Sequence, residues 1–250
     1  YEMLRSLVGS EMCIRDRSEE GKINYLNSVL KKEKLLSPET REAVYETLLD
    51  KYISKEKWED AERVAEKLGE EGQKVLLDGY IRKSLWKSAE RVAEKLGEEG
   101  QKVLPKILEG YMKYGRWENA ERLAEKLGKE GQKVLPKILE GYMKYGEWKD
   151  AERLAEKLGE EGQKVLPKIL EGYMKYGGWE NAERLAEKLG EEGQKALLDG
   201  YIRESLWKSA ERLAERMGEK NVDPEKLAEI YEYTGKIMKA KSLRKRAKRK

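Results

Sequence analysis

The stretch VLPKILEGYMKYGRWENAERLAEKLGKEGQK, residues 103–133, decides the fold of this 250-residue chain because near-copies of it follow one another. Its tryptophan recurs at spacings of 28, 31, 31, 31 and 28 residues, as Trp58, Trp86, Trp117, Trp148, Trp179 and Trp207. A fixed period of this size is typical of stacked supersecondary units. Two shorter units, VLLDGYIRKSLW and ALLDGYIRESLW, lack three residues. Because three residues make nearly one helical turn, the deletion predicts a shorter helix with about the same buried face.

The second half of the repeat has the apolar periodicity of an amphipathic helix. The residues of the apolar stripe are Trp117, Ala120, Leu123, Ala124 and Leu127. Glu118 and Arg122 lie outside the stripe, at the spacing of a stabilising ion pair. We expect each tryptophan ring to be buried between hairpins, since an indole removes about 200 Å² from water. Gly128 then stands where a helix C-cap glycine belongs, and the same holds for Gly69, Gly97, Gly159, Gly190 and Gly218.

The first half of the repeat predicts another helix, with a wider apolar face. The residues of that face are Leu104, Ile107, Leu108, Tyr111 and Tyr114. Pro105 is acceptable only in the opening turn of this helix. Gly110 lies in its interior, where glycine costs about 1 kcal/mol relative to alanine. Its repetition as Gly141 and Gly172 indicates that a neighbouring helix approaches closely at this position.

Two helices in every repeat predict an all-α fold, an α-solenoid of about six stacked helix-turn-helix hairpins with a period of 31 residues and shorter units of 28. We predict N-terminal helices over residues 18–57, the repeat array over 58–218, a capping helix over 219–235 and a basic tail over 236–250. Ser37 before Pro38, and Asp223 before Pro224, are N-cap signals for the flanking helices.

The first 17 residues, YEMLRSLVGSEMCIRDR, have no period and contain the single cysteine, Cys13. Written back into codons, Leu7 to Asp16 resembles a transposase-type sequencing-library adapter. We interpret residues 1–16 as translated adapter and Arg17 as a junction, and we exclude them from the fold. The alternative is a native leader. With the native start missing, the sequence predicts no compartment beyond a cytoplasmic default.

Composition argues against catalysis and against a membrane span. Charged residues make up 41% of the chain, mean hydropathy is −0.90, and histidine is absent, which removes the usual general base and metal ligand. No run of eighteen apolar residues occurs, and no GxxxxGK phosphate loop. Glu121 and Glu125 are expected on a solvated helix face. The sequence therefore predicts a non-enzymatic protein with no metal and no cofactor.

Residues 40–218 resemble two families of helical repeat. A Gly-Tyr in the first helix and a small residue early in the second resemble tetratricopeptide repeats. The pentatricopeptide pattern G-Y-x-K-x-G-x-x-x-x-A is carried here by Gly110, Tyr111, Lys113, Gly115 and Ala120. Both resemblances imply a helical-hairpin solenoid. Pentatricopeptide units read an RNA base early in the first helix, a position that falls on Pro105, Pro136 and Pro167. Because proline cannot hydrogen-bond a base edge, we do not expect sequence-specific reading.

We hypothesise a protein-protein interaction scaffold whose first helices display parallel rows of charge. These rows, the charge ladder, consist of Lys106, Glu109, Lys113, Lys137, Glu140, Lys144, Lys168, Glu171 and Lys175. Two bases and one acid per unit would suit an extended acidic peptide, with Met112, Met143 and Met174 as adaptable apolar contacts if these side chains reach the surface. The alternative explanation of the ladder is solubility combined with ion pairing inside the array.

Non-specific RNA or DNA binding is the alternative function. The segment from Lys236 to Lys250 contains nine lysines or arginines and no acid. Its candidate phosphate contacts are Lys241, Arg244, Lys245, Arg246, Lys248, Arg249 and Lys250. A disordered, solubilising end would have the same composition.

Overall fold

The computed structural model describes residues 18–247, and every regular element in that range is helical. The proposed adapter segment lies outside the described residues, as do Lys248, Arg249 and Lys250. The chain divides into two compact units, residues 1–127 and 128–250.

The first unit contains eight described α-helices and one 3-10 turn, Glu33–Leu35. The helices are α1 (Glu19–Leu30), α2 (Pro38–Ser54), α3 (Trp58–Lys67), α4 (Gly69–Arg82), α5 (Trp86–Lys95), α6 (Gly97–Gln101), α7 (Leu104–Lys113) and α8 (Trp117–Lys126). Each tryptophan begins a helix, and the helix before it is its partner in a hairpin. The Ser37 side chain caps α2, accepting from the Thr40 amide at 3.2 Å. The cap predicted from Ser37 and Pro38 is therefore confirmed.

The second unit continues the same order and contains a 3-10 turn at Glu219–Asn221. Its helices are α9 (Lys129–Gln132), α10 (Leu135–Tyr145), α11 (Trp148–Lys157), α12 (Glu160–Gln163), α13 (Leu166–Lys175), α14 (Trp179–Lys188), α15 (Gly190–Arg203), α16 (Trp207–Met217), α17 (Pro224–Tyr233) and α18 (Ile237–Ala247). Asp223 caps α17, as predicted, by accepting from the Glu225 and Lys226 amides. Within each unit successive hairpins stack, which confirms an all-α repeat fold.

The core of each unit lies between helices of neighbouring hairpins. In the second helices the stripe residues Ala120, Leu123 and Ala124 are fully buried, and Leu154 and its neighbours repeat this pattern. The first helices contribute Ile, Leu and Tyr side chains of the predicted wide face. The six tryptophans, expected to be buried, are only half-buried. Each begins its helix at the turn, so one edge of the ring faces solvent.

Glycine at the centre of the first helix makes room for a tryptophan of the preceding hairpin. A Cβ added to Gly172 would lie 2.5 Å from the Trp148 ring, and one added to Gly110 would lie 2.5 Å from the Trp86 ring. No side chain fits at that distance, so the indole lies directly on the helix backbone. The close approach predicted from the repeated glycine is confirmed at both positions.

The three extra residues of the long repeats break a helix. In the short repeats, α4 and α15 run as single helices of 14 residues. In the long repeats a helical turn of four or five residues (α6, α9 or α12) is separated from the helix that follows. Pro105 lies at the start of α7, where its ring would clash with the carbonyl of Gln101 in a continuous helix. The expectation that the deletion merely shortens a helix is therefore wrong.

Glycines end the second helices in the left-handed backbone region. Gly128, just past α8, has φ of +56°. Positive φ also occurs at the other predicted C-cap glycines, Gly69, Gly97, Gly159, Gly190 and Gly218. The predicted ends of the second helices are therefore confirmed.

Candidate functional site

The charge ladder lies on α7, α10 and α13, with two lysines and one glutamate on each helix. All nine of its side chains are exposed. Helical spacing puts Lys168, Glu171 and Lys175 on one face of α13, and their copies on α7 and α10 repeat that arrangement. The structure therefore leaves the predicted residues accessible to a partner.

Most ladder charges have no ionic partner among residues 18–247. No ion pair in that range involves Lys106 or Glu109, and the same holds for the copies Lys137, Glu140, Lys168 and Glu171. The last lysine of each helix lies over the next tyrosine ring instead. The distances from Nζ to the ring centroid are 6.0 Å for Lys113, 5.9 Å for Lys144 and 5.6 Å for Lys175.

A row of exposed tyrosines follows the ladder and was not predicted. Tyr114 is 55% exposed, and Tyr145 and Tyr176 are more so. The assignment of Tyr114 to the apolar face is wrong because α7 ends at Lys113, so the next side chain leaves that face. The signal in the sequence was the glycine after each of these tyrosines, which marks the turn.

Trp148 and Tyr176 line an open cleft in the second unit. Their ring centroids are 6.0 Å apart with planes inclined by 33°. The cleft has a volume of about 380 Å³ and is also lined by Glu147, Lys149 and Asp150. Where a short repeat follows, the tryptophan stacks on the buried tyrosine of that repeat instead, as Trp179 does on Tyr201 at 4.9 Å. The long repeats thus combine exposed aromatic edges with the ladder.

The methionines proposed as apolar contacts do not lie on this surface. Met112 and Met174 are buried, and Met143 is half-buried. The Met174 sulfur packs against Gly200, where the backbone carries no side chain. The condition for adaptable surface contacts, that the side chains reach the surface, is therefore not met by Met112 and Met174.

The glutamates of the second helices are not all on a solvated face. Glu152 is 3% exposed and accepts a hydrogen bond from the Tyr173 hydroxyl at 3.0 Å. Arg184 of the following second helix donates to the two oxygens of Glu152 at 2.8 and 2.6 Å. We call these three residues a Tyr–Glu–Arg cluster. It joins one hairpin to the next through a buried carboxylate with paired donors.

The first unit contains the same cluster. Glu90 accepts from the Tyr111 hydroxyl at 2.9 Å and from Arg122 at 2.6 Å. Arg122 thus binds the preceding hairpin rather than the predicted Glu118, because a buried carboxylate is the stronger acceptor. Glu121 is as buried as Glu90, so its expected solvated position is also wrong.

Burial and this hydrogen bonding perturb the tyrosines of the clusters. Burial raises the pKa of the Tyr111 and Tyr173 hydroxyls, and the hydrogen bond to a carboxylate raises it further. The neutral phenol is therefore favoured in the folded state. The sequence signal was a constant separation of 21 residues between glutamate and tyrosine, which a single helical period does not reveal.

The basic C-terminal segment is helical from Ile237 to Ala247, and part of its charge is already paired. Lys236 contacts Glu211 at 2.7 Å, and Arg244 contacts Glu232 at 2.6 Å. Lys241 and Lys245 are exposed, and no ion pair within residues 18–247 involves them. The side chain of Arg246 and residues 248–250 lie outside the described set.

Residues 18–247 contain neither a cluster of metal ligands nor a helix suited to cross a membrane. In that part of the chain no three histidine, cysteine, aspartate or glutamate side chains are grouped as metal ligands. No helix in it is both long and apolar enough to cross a bilayer.

Comparison with known proteins supports the repeat character. The family model of the PPR repeat matches residues 195–222. A search of the curated proteins finds no match. Similar solved structures include the TPR domain of P58(IPK), at 15% identity over 93% of this chain and 76% of that one, with a TM-score of 0.27. The de novo designed helical repeat protein DHR64 is 23% identical over 96% of this chain and 97% of that one, with a TM-score of 0.16. The chain is a helical-hairpin repeat protein by its own described helices, and its residues 195–222 are similar to the PPR repeat.

Proposed function

We propose that this protein is a non-enzymatic interaction scaffold that holds an extended acidic segment of a protein partner along the part of the charge ladder in the second unit, on α10 and α13. The observation that supports this is a difference between the two helices of a hairpin in how their charged side chains are paired. Charges on the second helices are used between hairpins, as in the pair of Lys188 with Glu156 at 2.5 Å. Charges on the first helices, such as Lys168 and Glu171, are exposed and have no ion pair in the described chain.

This surface has the chemistry to bind a repetitive anionic chain. Each long repeat offers two ammonium groups, so carboxylates of an extended peptide would find cations at regular intervals. The exposed edge of Tyr176 offers contact area to apolar side chains between those carboxylates. Because every repeat presents the same groups, the surface supports recognition by charge and spacing rather than by a varied sequence.

The test is binding of a fluorescein-labelled 20-residue peptide of alternating glutamate and leucine to the full chain. Lys137→Glu/Lys168→Glu reverses two ladder charges and should weaken binding about tenfold, since it replaces attraction by repulsion. Lys133→Glu/Lys164→Glu is the matched control, because it changes net charge equally in the segments just before α10 and α13. Equal loss in both variants would show that only total charge matters and would contradict the ladder.

Contact with RNA or DNA through the C-terminal segment is the second candidate. Exposed Lys241 and Lys245 favour it, while the pairing of Lys236 and Arg244 with carboxylates leaves fewer cations for phosphates. Titration of an oligouridylate against salt tests it. Phosphate binding predicts affinity that falls steeply with salt and is lost in Lys241→Glu/Lys245→Glu. No binding at low salt removes this candidate.

A further inference from the structure

The interface between stacked hairpins has a charge direction. On α14, Glu183 and Glu187 follow the tryptophan by four and eight residues and face the next hairpin. That hairpin answers with the Tyr201 hydroxyl, which donates to Glu183, and with Arg216, which donates to Glu187 at 3.0 Å. Arg212 lines the same cleft as Glu183. The side of a hairpin that faces the next hairpin is therefore acidic, and the side that faces the preceding hairpin is basic.

The first unit has the same direction of charge. Glu90 and Glu94 follow Trp86 by four and eight residues. They receive Arg122 at 2.6 Å and Lys126 at 2.5 Å from the next second helix. In both units, a hairpin thus stacks with its basic side chains against the acidic side of the preceding hairpin.

Helix α18 is the second helix of a further hairpin, in which Ile237 takes the place of the tryptophan. It packs on α17, with Ala240 buried in the place of the alanine three residues after each tryptophan. Ile237 begins the helix, and Gly235, two residues earlier, has the positive φ that Ser205 has before Trp207. By this register, Lys241 and Lys245 stand where the two glutamates stand in the other repeats.

The exposed side of α18, which corresponds to the side that faces the next hairpin in the other repeats, is both apolar and basic. Ile237 is 43% exposed and Met238 is 82% exposed, and both are large apolar side chains. Lys241 and Lys245 lie on the same helix and have no ion pair within residues 18–247. Inside the array, hairpins present arginine and lysine to the hairpin before them, as Arg122 and Arg184 do, so a hairpin of that kind would meet like charges at Lys241 and Lys245.

We propose that the exposed side of α18 is an end-on docking site for an acidic amphipathic helix of a partner protein. The partner helix would lie where a further hairpin would stack. Its carboxylates would face Lys241 and Lys245, and its apolar side chains would cover Ile237 and Met238. This site is separate from the charge ladder. At the positions where the described second helices present glutamates to the next hairpin, α18 presents lysines.

A charge-swap experiment tests this proposal with the full chain. The probe is a labelled peptide with the sequence of residues 190–217, the hairpin that packs on α14, carrying R212E and R216E. The unmodified peptide is its partner control. We expect the protein to bind the glutamate peptide at least about tenfold more tightly than the unmodified one, because like charges face each other in the latter.

The variant Lys241→Glu/Lys245→Glu should invert this preference and bind the unmodified peptide instead. Lys129→Glu/Lys133→Glu changes net charge equally at the start of α9 and just after its end, and should keep the original preference. The proposal is overturned if neither peptide binds at low salt, or if the preference is the same in the charge-reversed variant. It is also overturned if the wild-type chain binds oligouridylate through these lysines while ignoring the glutamate peptide.

Discussion

Tyr173 and Tyr176 show how three residues separate a structural side chain from one available for binding. Tyr173 is buried and donates to Glu152. Tyr176 is 67% exposed at the turn beyond the end of α13. The two have the same chemistry, so their roles follow from their different positions on the hairpin.

Replacing Tyr173 by phenylalanine should destabilise the protein by about 1–2 kcal/mol, because buried Glu152 loses one hydrogen-bond donor. Tyr176→Phe removes an exposed hydroxyl and should leave the free energy of unfolding unchanged to within about 0.5 kcal/mol. Urea unfolding of the two variants measures the difference. Equal midpoints would show that the Tyr–Glu–Arg cluster contributes nothing.

For single residues, the sequence predicted that the ladder lysines are exposed, but it did not predict which polar side chains bind each other between hairpins. The ladder lysines were expected on an open face of the first helices, and they lie there. The burial of Glu152 was missed because its arginine partner lies 32 residues further along the chain. Periodicity within one helix identifies the buried side, but it contains no information on which polar group of a neighbouring hairpin reaches it.

At the scale of the element, the fit of tryptophan on glycine sets how closely two helices approach. The Trp148 ring occupies the space where a side chain at position 172 would begin. The helix gives up the propensity of alanine, about 1 kcal/mol, to gain this contact. The sequence predicted the close approach, since a costly glycine was repeated, but it did not identify tryptophan as the neighbour.

Gly172→Ala should destabilise the protein by about 1–3 kcal/mol, because the added methyl group overpacks the contact with Trp148. Trp148→Leu leaves room for that methyl group. In the double variant the alanine should therefore cost less than it does alone, or become stabilising. Thermal unfolding of the four proteins in this cycle measures the coupling. Strict additivity would mean that the indole does not limit the approach.

The helix ends set by a capping side chain were predictable from the sequence. The helix breaks caused by a proline ring against the preceding turn were not predicted. Ser37 and Asp223 cap their helices as expected. The break before each Leu-Pro was missed because proline was treated as acceptable in an opening turn, without asking what precedes it. With proline at 105, the carbonyl of Gln101 has no place in a continuous helix.

At the scale of the whole molecule, the repeated buried tyrosines couple stability to alkaline pH. Burial, with a hydrogen bond to Glu219, raises the pKa of Tyr231 to about 12. Burial, with hydrogen bonds to glutamates, likewise raises the pKa of Tyr80, Tyr111, Tyr173 and Tyr201. An unfolded tyrosine titrates near about 10. The stabilisation is complete below that pH and is lost as pH rises through the folded-state values.

We expect the unfolding midpoint in urea to hold steady from pH 8 to about 10 and to fall steeply above it. Phenolate absorbance at 295 nm should rise together with the loss of helical circular dichroism. Tyr231→Phe should make the fall shallower. Full ionisation of all tyrosines in a chain that keeps its helicity would contradict the burial of these hydroxyls.

The fold class was predictable from the repeat alone, because a fixed period and two helical stripes leave few other arrangements. The sign of the charge across each interface was not, since acids and bases are intermixed along each of the six helices that begin with tryptophan. The sign of the charge follows only from the contacts between the glutamates of one hairpin and the basic side chains of the next.

The Tyr–Glu–Arg cluster draws its donors from the following copy, and that has a consequence for how such a gene can change. Within residues 128–250, duplicating one complete long repeat would place the same glutamate before the same tyrosine and arginine. The new junction would be chemically identical to the old one. Unequal recombination between near-identical copies could therefore alter the length of the protein in whole-repeat steps without leaving an unmatched seam.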